Sequence, residues 1–450
     1  MADSTLERSS TYVCQGWIRK YYRLAVVLFA LNMTSALLFI VFVNHMYYDD
    51  QYNLSDVHRY ASEGISADSI KAHINPAGPT GFVWMAAAVR LFPKNELRSA
   101  RAAILISWLL LGAVILIGAR YTRFASFWYA ALFVTLAFPH AVTAAALVLT
   151  EGPALLLAIL GTVLWVEFLS QPTFNINQEP LGIAGGFSFG FAVTCRQYYL
   201  AILPAAALFA LHQWRQRSLR ASFAWVLPTL PPILAAILPV GLLVFAWKGL
   251  SSPGMVSGSS YQNWTATVGV NFHRPIVTCF YVAVYSLPLT FPAMLRLRFP
   301  QRWRALLIAA IGGSGAIHFM STLLQPGPFN SMVGSLREVP RVQSLFFGLI
   351  VSATIYNFVA VIVLLWEQRT IQFSCPPVVF SILVIVFFVA EQLGVQGNIP
   401  FYDRYVIQVA PFLGIIAFAL LPQLDFTRLL ALGAMSVLGH SMLWRYALGR

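Results

Sequence analysis

The chain has 450 residues, of which 58% are hydrophobic and only 10% charged, against about 25% charged in an ordinary soluble domain. So little polar surface cannot cover a water-facing globule of this size, so a string of soluble domains is excluded and lipid is the natural solvent. The net charge of +13 does not point to nucleic acid: the arginines fall in short clusters between apolar runs, Arg215, Arg217 and Arg220, then Arg296, Arg298, Arg302 and Arg304, the pattern of cytoplasmic loops rather than of one basic face.

The expected fold is all-α, a polytopic transmembrane bundle of roughly ten to thirteen helices, with short amphipathic juxtamembrane helices in the first outward loop. Residues 1–23 form a polar tail with Arg19 and Lys20 at its end. The first span, 24–43, is too long for a signal-peptide core and lacks a small-residue cleavage site. The polar interval 44–79 follows, then apolar runs at 80–92, 101–119, 124–139, 151–168, 181–195 and 198–211. The second half continues at 222–247, 275–294, 305–323, 342–365, 376–393, 404–421 and 428–446, and some of these runs can pair as half-spans. With the tail and the arginine clusters cytoplasmic, alternation places 44–79, 248–273, 324–341 and 394–403 on the opposite side. The run 80–92 would rise only about 20 Å as a helix, short of a core about 30 Å thick, so the parity between 80 and 150 stays open. Four scattered cysteines without metal-type spacing read as small buried side chains.

The chemistry concentrates in the first outward loop. Residues 44–68 carry Asp49, Asp50, Asp56, Glu63 and Asp68, five of the 16 acidic residues. Leu54, Val57 and Ala61 share one helical face, as in a short helix lying on the membrane surface. Asp49 and Asp50 precede it, where a lipid head group would arrive. One of the pair can serve as a general base, or the pair caps the helix or solvates the loop. Lys71 and His73 can approach a phosphate or stand as exposed loop side chains. Pro76, Gly78, Pro79 and Gly81 then force a sharp re-entry.

Later spans carry polar residues at their ends. Glu151 opens an apolar run, where an ionisable group is costly and a functional candidate; it also suits a helix N-terminus beside Thr150. Arg196-Gln197 interrupts two apolar stretches, and such an arginine binds phosphate through paired hydrogen bonds or snorkels to the interface. Arg404 has the same character, with Asp403 as its neighbour, and His273-Arg274-Pro275 stands at the mouth of another outward loop. The aromatics around these ends read as an interfacial belt.

Taken in order, these pieces resemble the GT-C superfamily of membrane glycosyltransferases, which use sugars carried on dolichyl or polyprenyl phosphate. The likeness runs from Tyr48-Asp49-Asp50 to Tyr402-Asp403-Arg404-Tyr405. Within the superfamily the chain is most similar to the α-1,2-glucosyltransferases that add the last glucose to the lipid-linked N-glycan precursor. The matching steps are Asp49-Asp50, Arg59-Tyr60, Glu63-Gly64, Phe138-Pro139, Thr150-Glu151 and Arg196-Gln197. Asp50 stands where that family has Glu, and Asn75 where it has Asp.

The resemblance implies a catalytic membrane module at 24–210 and a second transmembrane half at 211–450 forming a groove for lipid donor and acceptor. It implies an inverting transfer of a hexose, glucose by preference, from the lipid phosphate to a glycan or glycolipid. Asp49 would be the base, with Asp50 as the alternative. Arg196 and Gln197 would lie at the phosphate, helped by Arg404, Lys71, His73, Arg59 and His273, and Glu151 would orient the acceptor or a metal. A leaving phosphate needs charge stabilisation more than protonation. No cofactor is required; a divalent cation, Mg or Mn, would suit carboxylates and phosphate oxygens. The site would face the periplasm from a bacterial inner membrane, or the lumen from an endoplasmic reticulum membrane. The rival from another class is a secondary transporter or lipid flippase, against which stand the lack of a clear inverted repeat and the gathering of acids in one surface loop.

Overall fold

The computed structural model describes residues 3–171, 176–217, 219–249, 252–254, 270–324, 328–394 and 403–448, with 3–18, 48–49, 176, 219–225, 328, 371 and 403 described by backbone alone. The regular elements among the described residues are all helices, without strands. The first half holds α1 (Asp3–Phe42), α2 (Tyr48–Glu63), α3 (Ala67–Lys71), α4 (Pro79–Leu91), α5 (Glu96–Ala113), α6 (Ala125–Ala137), α7 (Ala141–Ala146), α8 (Glu151–Leu169), α9 (Glu179–Cys195), α10 (Ile202–Arg215) and α11 (Leu219–Trp247). The second holds α12 (His273–Thr290), α13 (Phe299–His318), α14 (Pro340–Glu367), α15 (Pro376–Glu391), α16 (Ala410–Leu420) and α17 (Phe426–Ala447). Among the described residues seven helical segments are long and apolar enough to cross a membrane: Arg19–Phe42, Glu96–Tyr121, Glu151–Leu169, Val226–Trp247, Pro340–Glu367, Pro376–Gly394 and Phe426–Ala447. This is a multi-pass membrane protein.

Long-range hydrogen bonds sort the helix ends onto two sides. At one, Lys20 donates to the Leu424 carbonyl (2.8 Å), Arg120 to the Tyr22 hydroxyl (2.9 Å), and Arg217 to the Gln171 carbonyl (3.0 Å). At the other, Arg98 donates to the Val41 carbonyl (2.8 Å) and Trp247 to the Ile70 carbonyl (2.9 Å). The second set marks the side of loop 44–79, hereafter the loop side. This settles the open parity. Helix α4 does not cross: Arg90 near its end donates to the Ala61 carbonyl (2.7 Å), Trp84 donates to the Ala103 carbonyl (2.9 Å), and the chain turns straight into α5 at the same side. The run expected at 80–92 is thus a re-entrant helix, too short for the core and held by its neighbours.

The next crossing is broken. Helices α6 and α7 are separated at Phe138–His140, and 147–150 is not helical. Irregular backbone at this depth survives only where protein satisfies its polar groups. Asn32 of α1 donates to the Leu136 carbonyl (2.8 Å) and Trp108 of α5 to the Ala144 carbonyl (3.2 Å). Helices α6 and α7 are almost wholly buried.

Helix α9 fixes the other wall of the site. Gly182, Gly186 and Gly190 recur every fourth residue, a small-residue stripe that lets membrane helices approach closely. A Cβ at Gly186 would lie 2.1 Å from the Pro232 carbonyl oxygen of α11. On its other side α9 runs antiparallel to α8, so the start of α8 stands beside the end of α9.

Candidate functional site

That pairing brings Glu151, the first residue of α8, against Arg196, the residue that ends α9. Arg196 Nη2 donates to Glu151 Oε1 at 2.5 Å, with side chains 11% and 2% exposed. Arg404, in the single turn Asp403–Gln408, places Nε 3.9 Å from the same oxygen and is 22% exposed. Both guanidiniums lie near the Tyr405 ring, 5.7 and 5.8 Å from its centroid. One carboxylate therefore faces two arginines from segments more than 200 residues apart in sequence.

A second ring of contacts lies beside this pair. Tyr198 packs on Tyr405 with centroids 4.6 Å apart. Arg274 donates from Nη2 to the Tyr198 hydroxyl (3.2 Å) and from Nε to Gln392 Oε1 (2.9 Å), and is buried. Gln392 donates to Glu391 Oε1 (3.3 Å), whose other oxygen accepts the Ala201 amide (3.0 Å). The cluster is built from the starts and ends of α8, α9, α12 and α15 and from the turn before α16. Glu151 Oε2, Arg196 Nε, the Tyr199 hydroxyl and the Gln408 amide are buried without a hydrogen-bond partner among the described residues.

The acid-rich loop is organised differently. Asp50 is fully buried and paired with the equally buried Arg101 of α5 (2.5 Å). Its oxygens also accept the Val148 amide (2.8 Å) and the Tyr47 amide (3.2 Å). So enclosed, Asp50 caps α2 through the Tyr47 amide, the capping role open to the pair, and ties the loop to α5 and to Val148. The Asp49 side chain, like those of Tyr48 and Asp403 and the whole of Tyr402, lies outside the described residues. Asp56 accepts from Arg59 (2.8 Å) and from the Asn75 amide (3.0 Å), and lies 3.3 Å from His73 Nδ1.

His73 is fully buried rather than turned to a ligand. Its Nε2 donates to the Ala77 carbonyl (2.6 Å), Nδ1 faces the Tyr60 hydroxyl (3.2 Å), and the ring stacks on Trp247. Burial, reinforced by Asp56, pushes the Tyr60 phenol well above its usual range, so its hydroxyl stays neutral beside that nitrogen. Arg59 is spent on Asp56 and the Ala72 carbonyl. Lys71, Gln197 and His273 are exposed. The buried residue at the mouth of α12 is Arg274, one position on from His273. Its signal was present in the sequence as an arginine opening an apolar run, but only the packed neighbours distinguish it from the histidine.

The re-entry joins the two regions. A Cβ on Gly78 would lie 2.1 Å from the Thr194 carbonyl oxygen, and the Thr80 and Thr194 hydroxyls meet at 2.8 Å. The chain leaving the acidic loop thus rests on the end of α9, two residues from Arg196. Among the described residues no three His, Cys, Asp or Glu side chains converge as metal ligands; Glu151 is flanked by guanidiniums, and Glu391 is bonded to the Ala201 amide and Gln392.

No protein-family profile and no curated protein matches the chain. The solved structures that resemble it include two of ArnT from Cupriavidus metallidurans: one bound to undecaprenyl phosphate, at 16% identity and a TM-score of 0.41, covering 96% of this chain and 79% of that one. The other, in the apo state, has 16% identity and a TM-score of 0.40, covering 96% and 78%.

Proposed function

We propose that the protein is a membrane glycosyltransferase of the GT-C type. It moves a hexose, glucose by preference, from a polyprenyl- or dolichyl-phosphate carrier to a glycan or glycolipid on the extracytoplasmic face. The observation that carries this reading is the convergence of Glu151, Arg196 and Arg404, with Arg274 beside them, at the loop-side ends of separate helices. A partly open pair of guanidiniums at the end of membrane helices suits a lipid-borne phosphate: its head group stays at the interface while its chain lies along the helices.

In this reading the acceptor hydroxyl loses its proton to Asp49 and attacks the anomeric carbon. The bond to the phosphate oxygen breaks on the opposite face, and the configuration inverts. Arg196 and Arg404 stabilise the charge gathering on the leaving phosphate, which needs no general acid. Glu151 holds Arg196 in place and is near enough to orient the acceptor. Asp50 is withdrawn from the chemistry by Arg101.

The test is purified full-length protein in lipid nanodiscs with labelled polyprenyl-phosphate hexoses and a panel of glycan and glycolipid acceptors. Transfer of label that is lost in Asp49→Asn supports the proposal. Label that crosses the bilayer still attached to its lipid would replace it with the flippase reading.

A further inference from the structure

We infer that Arg101, Asp50 and Asn53 form a clamp that positions Glu151 through the backbone of Val148, an inference that rests on the proposed function for its catalytic readout. Arg101 Nη1 donates to the Val43 carbonyl (2.7 Å), and Nη2 donates to the His45 carbonyl (3.0 Å) and to Asp50 (2.5 Å). Its guanidinium also lies 5.1 Å from the Phe39 ring centroid. Asp50 is thereby fixed to the end of α1 and to α5. Its other oxygen accepts the Val148 amide at 2.8 Å, while Asn53 Nδ2 donates to the Val148 carbonyl at 2.5 Å. Asn53 is itself oriented by Asn75 Nδ2, which donates to its Oδ1 at 2.6 Å.

Both backbone polar groups of Val148 are thus held by side chains of α2. The stretch 147–150 belongs to no helix; Leu147 still donates to the Thr143 carbonyl (3.0 Å) and the Thr150 carbonyl accepts the Ala154 amide (3.2 Å), while Val148 between them is held by α2, and Glu151 begins α8 three residues on. Arg101 and Asp50 are wholly buried and Asn53 nearly so. Solvating the loop would need no such burial, and capping α2 would need no reach to Val148, 98 residues away. The clamp sets where α8 starts, and hence where the Glu151 carboxylate meets Arg196. Arg101, Asp50 and Asn53 are positioning residues, not catalytic ones.

The experiment is a double-mutant cycle on full-length protein in nanodiscs, with labelled polyprenyl-phosphate hexose as donor. Asn53→Ala and Asp50→Asn are each expected to lower kcat by about 10²-fold, the scale of a misplacement near 1 Å, with donor KM little changed. In a Glu151→Gln background the same substitutions should add less than about threefold, because the pathway they act through is already lost. Full additivity with Glu151→Gln, or an unchanged kcat in Asn53→Ala, overturns the inference. Should Asp50→Asn fail to fold, Asn53→Ala, which leaves every charge in place, decides alone. The same cycle is read in the thermal midpoint of the protein without substrate. There Asn53→Ala and Glu151→Gln should be non-additive, while Asp56→Asn and Glu151→Gln add. If wild-type protein transfers no hexose, the glycosyltransferase reading falls, and the midpoint cycle still upholds or overturns the clamp.

Discussion

The loop 44–79 and the loop-side ends of α8 and α9 both concentrate charge, yet they differ in how that charge is balanced. In the loop, Asp50 and Asp56 are completely buried, and each is matched by an arginine and by backbone amides. At the helix ends one carboxylate faces two arginines that remain partly exposed, and several polar atoms have no partner among the described residues. The first arrangement ties one arginine to each carboxylate and the loop to α1, α5 and 147–150; the second brings two guanidiniums from distant segments to a single carboxylate. Density of acidic residues does not by itself separate the two roles, because burial turns a carboxylate into a structural part as readily as into a base.

Substitutions should separate the two regions by what they damage. The largest effect is expected for Arg101→Ala, which strands a buried Asp50. Losing one member of a buried pair costs about 3–5 kcal/mol, and the midpoint of denaturant unfolding should fall accordingly. Replacing both partners at once, Asp50→Leu with Arg101→Met, should recover much of that stability without recovering transfer. Arg196→Ala should do the reverse: a loss of transfer of about 10²–10³-fold with a smaller change in unfolding. If Arg196→Ala unfolded the protein while Arg101→Ala left it stable, the contrast between the regions would be inverted.

Asp56→Asn should cost about 1–3 kcal/mol, since it weakens bonds to Arg59 and to the amides of Ile74 and Asn75; limited proteolysis of the loop would report it first. The smallest effects belong to His273→Ala and Lys71→Ala. Both side chains are exposed, and turnover within about twofold of wild type is expected. A large loss in either would extend the working site beyond the cluster around Glu151.

Much of the site was legible before folding. Glu151, Arg196 and Arg404 announce themselves because an ionisable residue at the edge of an apolar run is costly to keep there. The loop helix was legible from Leu54, Val57 and Ala61, and α2 indeed buries Leu54 and Val57. His73, Arg59 and Arg101 were not legible in their roles. His73 reads as an exposed loop side chain, and Arg59 as a polar-face residue of the loop helix, until Trp247 and Asp56 respectively meet them. Arg101 is only the first residue of an apolar run until the end of α1 and Asp50 meet it.

What the sequence determined by itself is the solvent and the class of fold. Low charge and recurrent apolar runs permit only helices that satisfy their own backbone in lipid, and that argument needs no partner residues. What tertiary structure alone decided is pairing. Whether 80–92 crosses, which acids are consumed by cations, and which arginines converge on one carboxylate all depend on contacts between residues tens to hundreds of positions apart. A carboxylate's availability is set by burial and by the neighbour that reaches it, and neither is a property of its own stretch of chain.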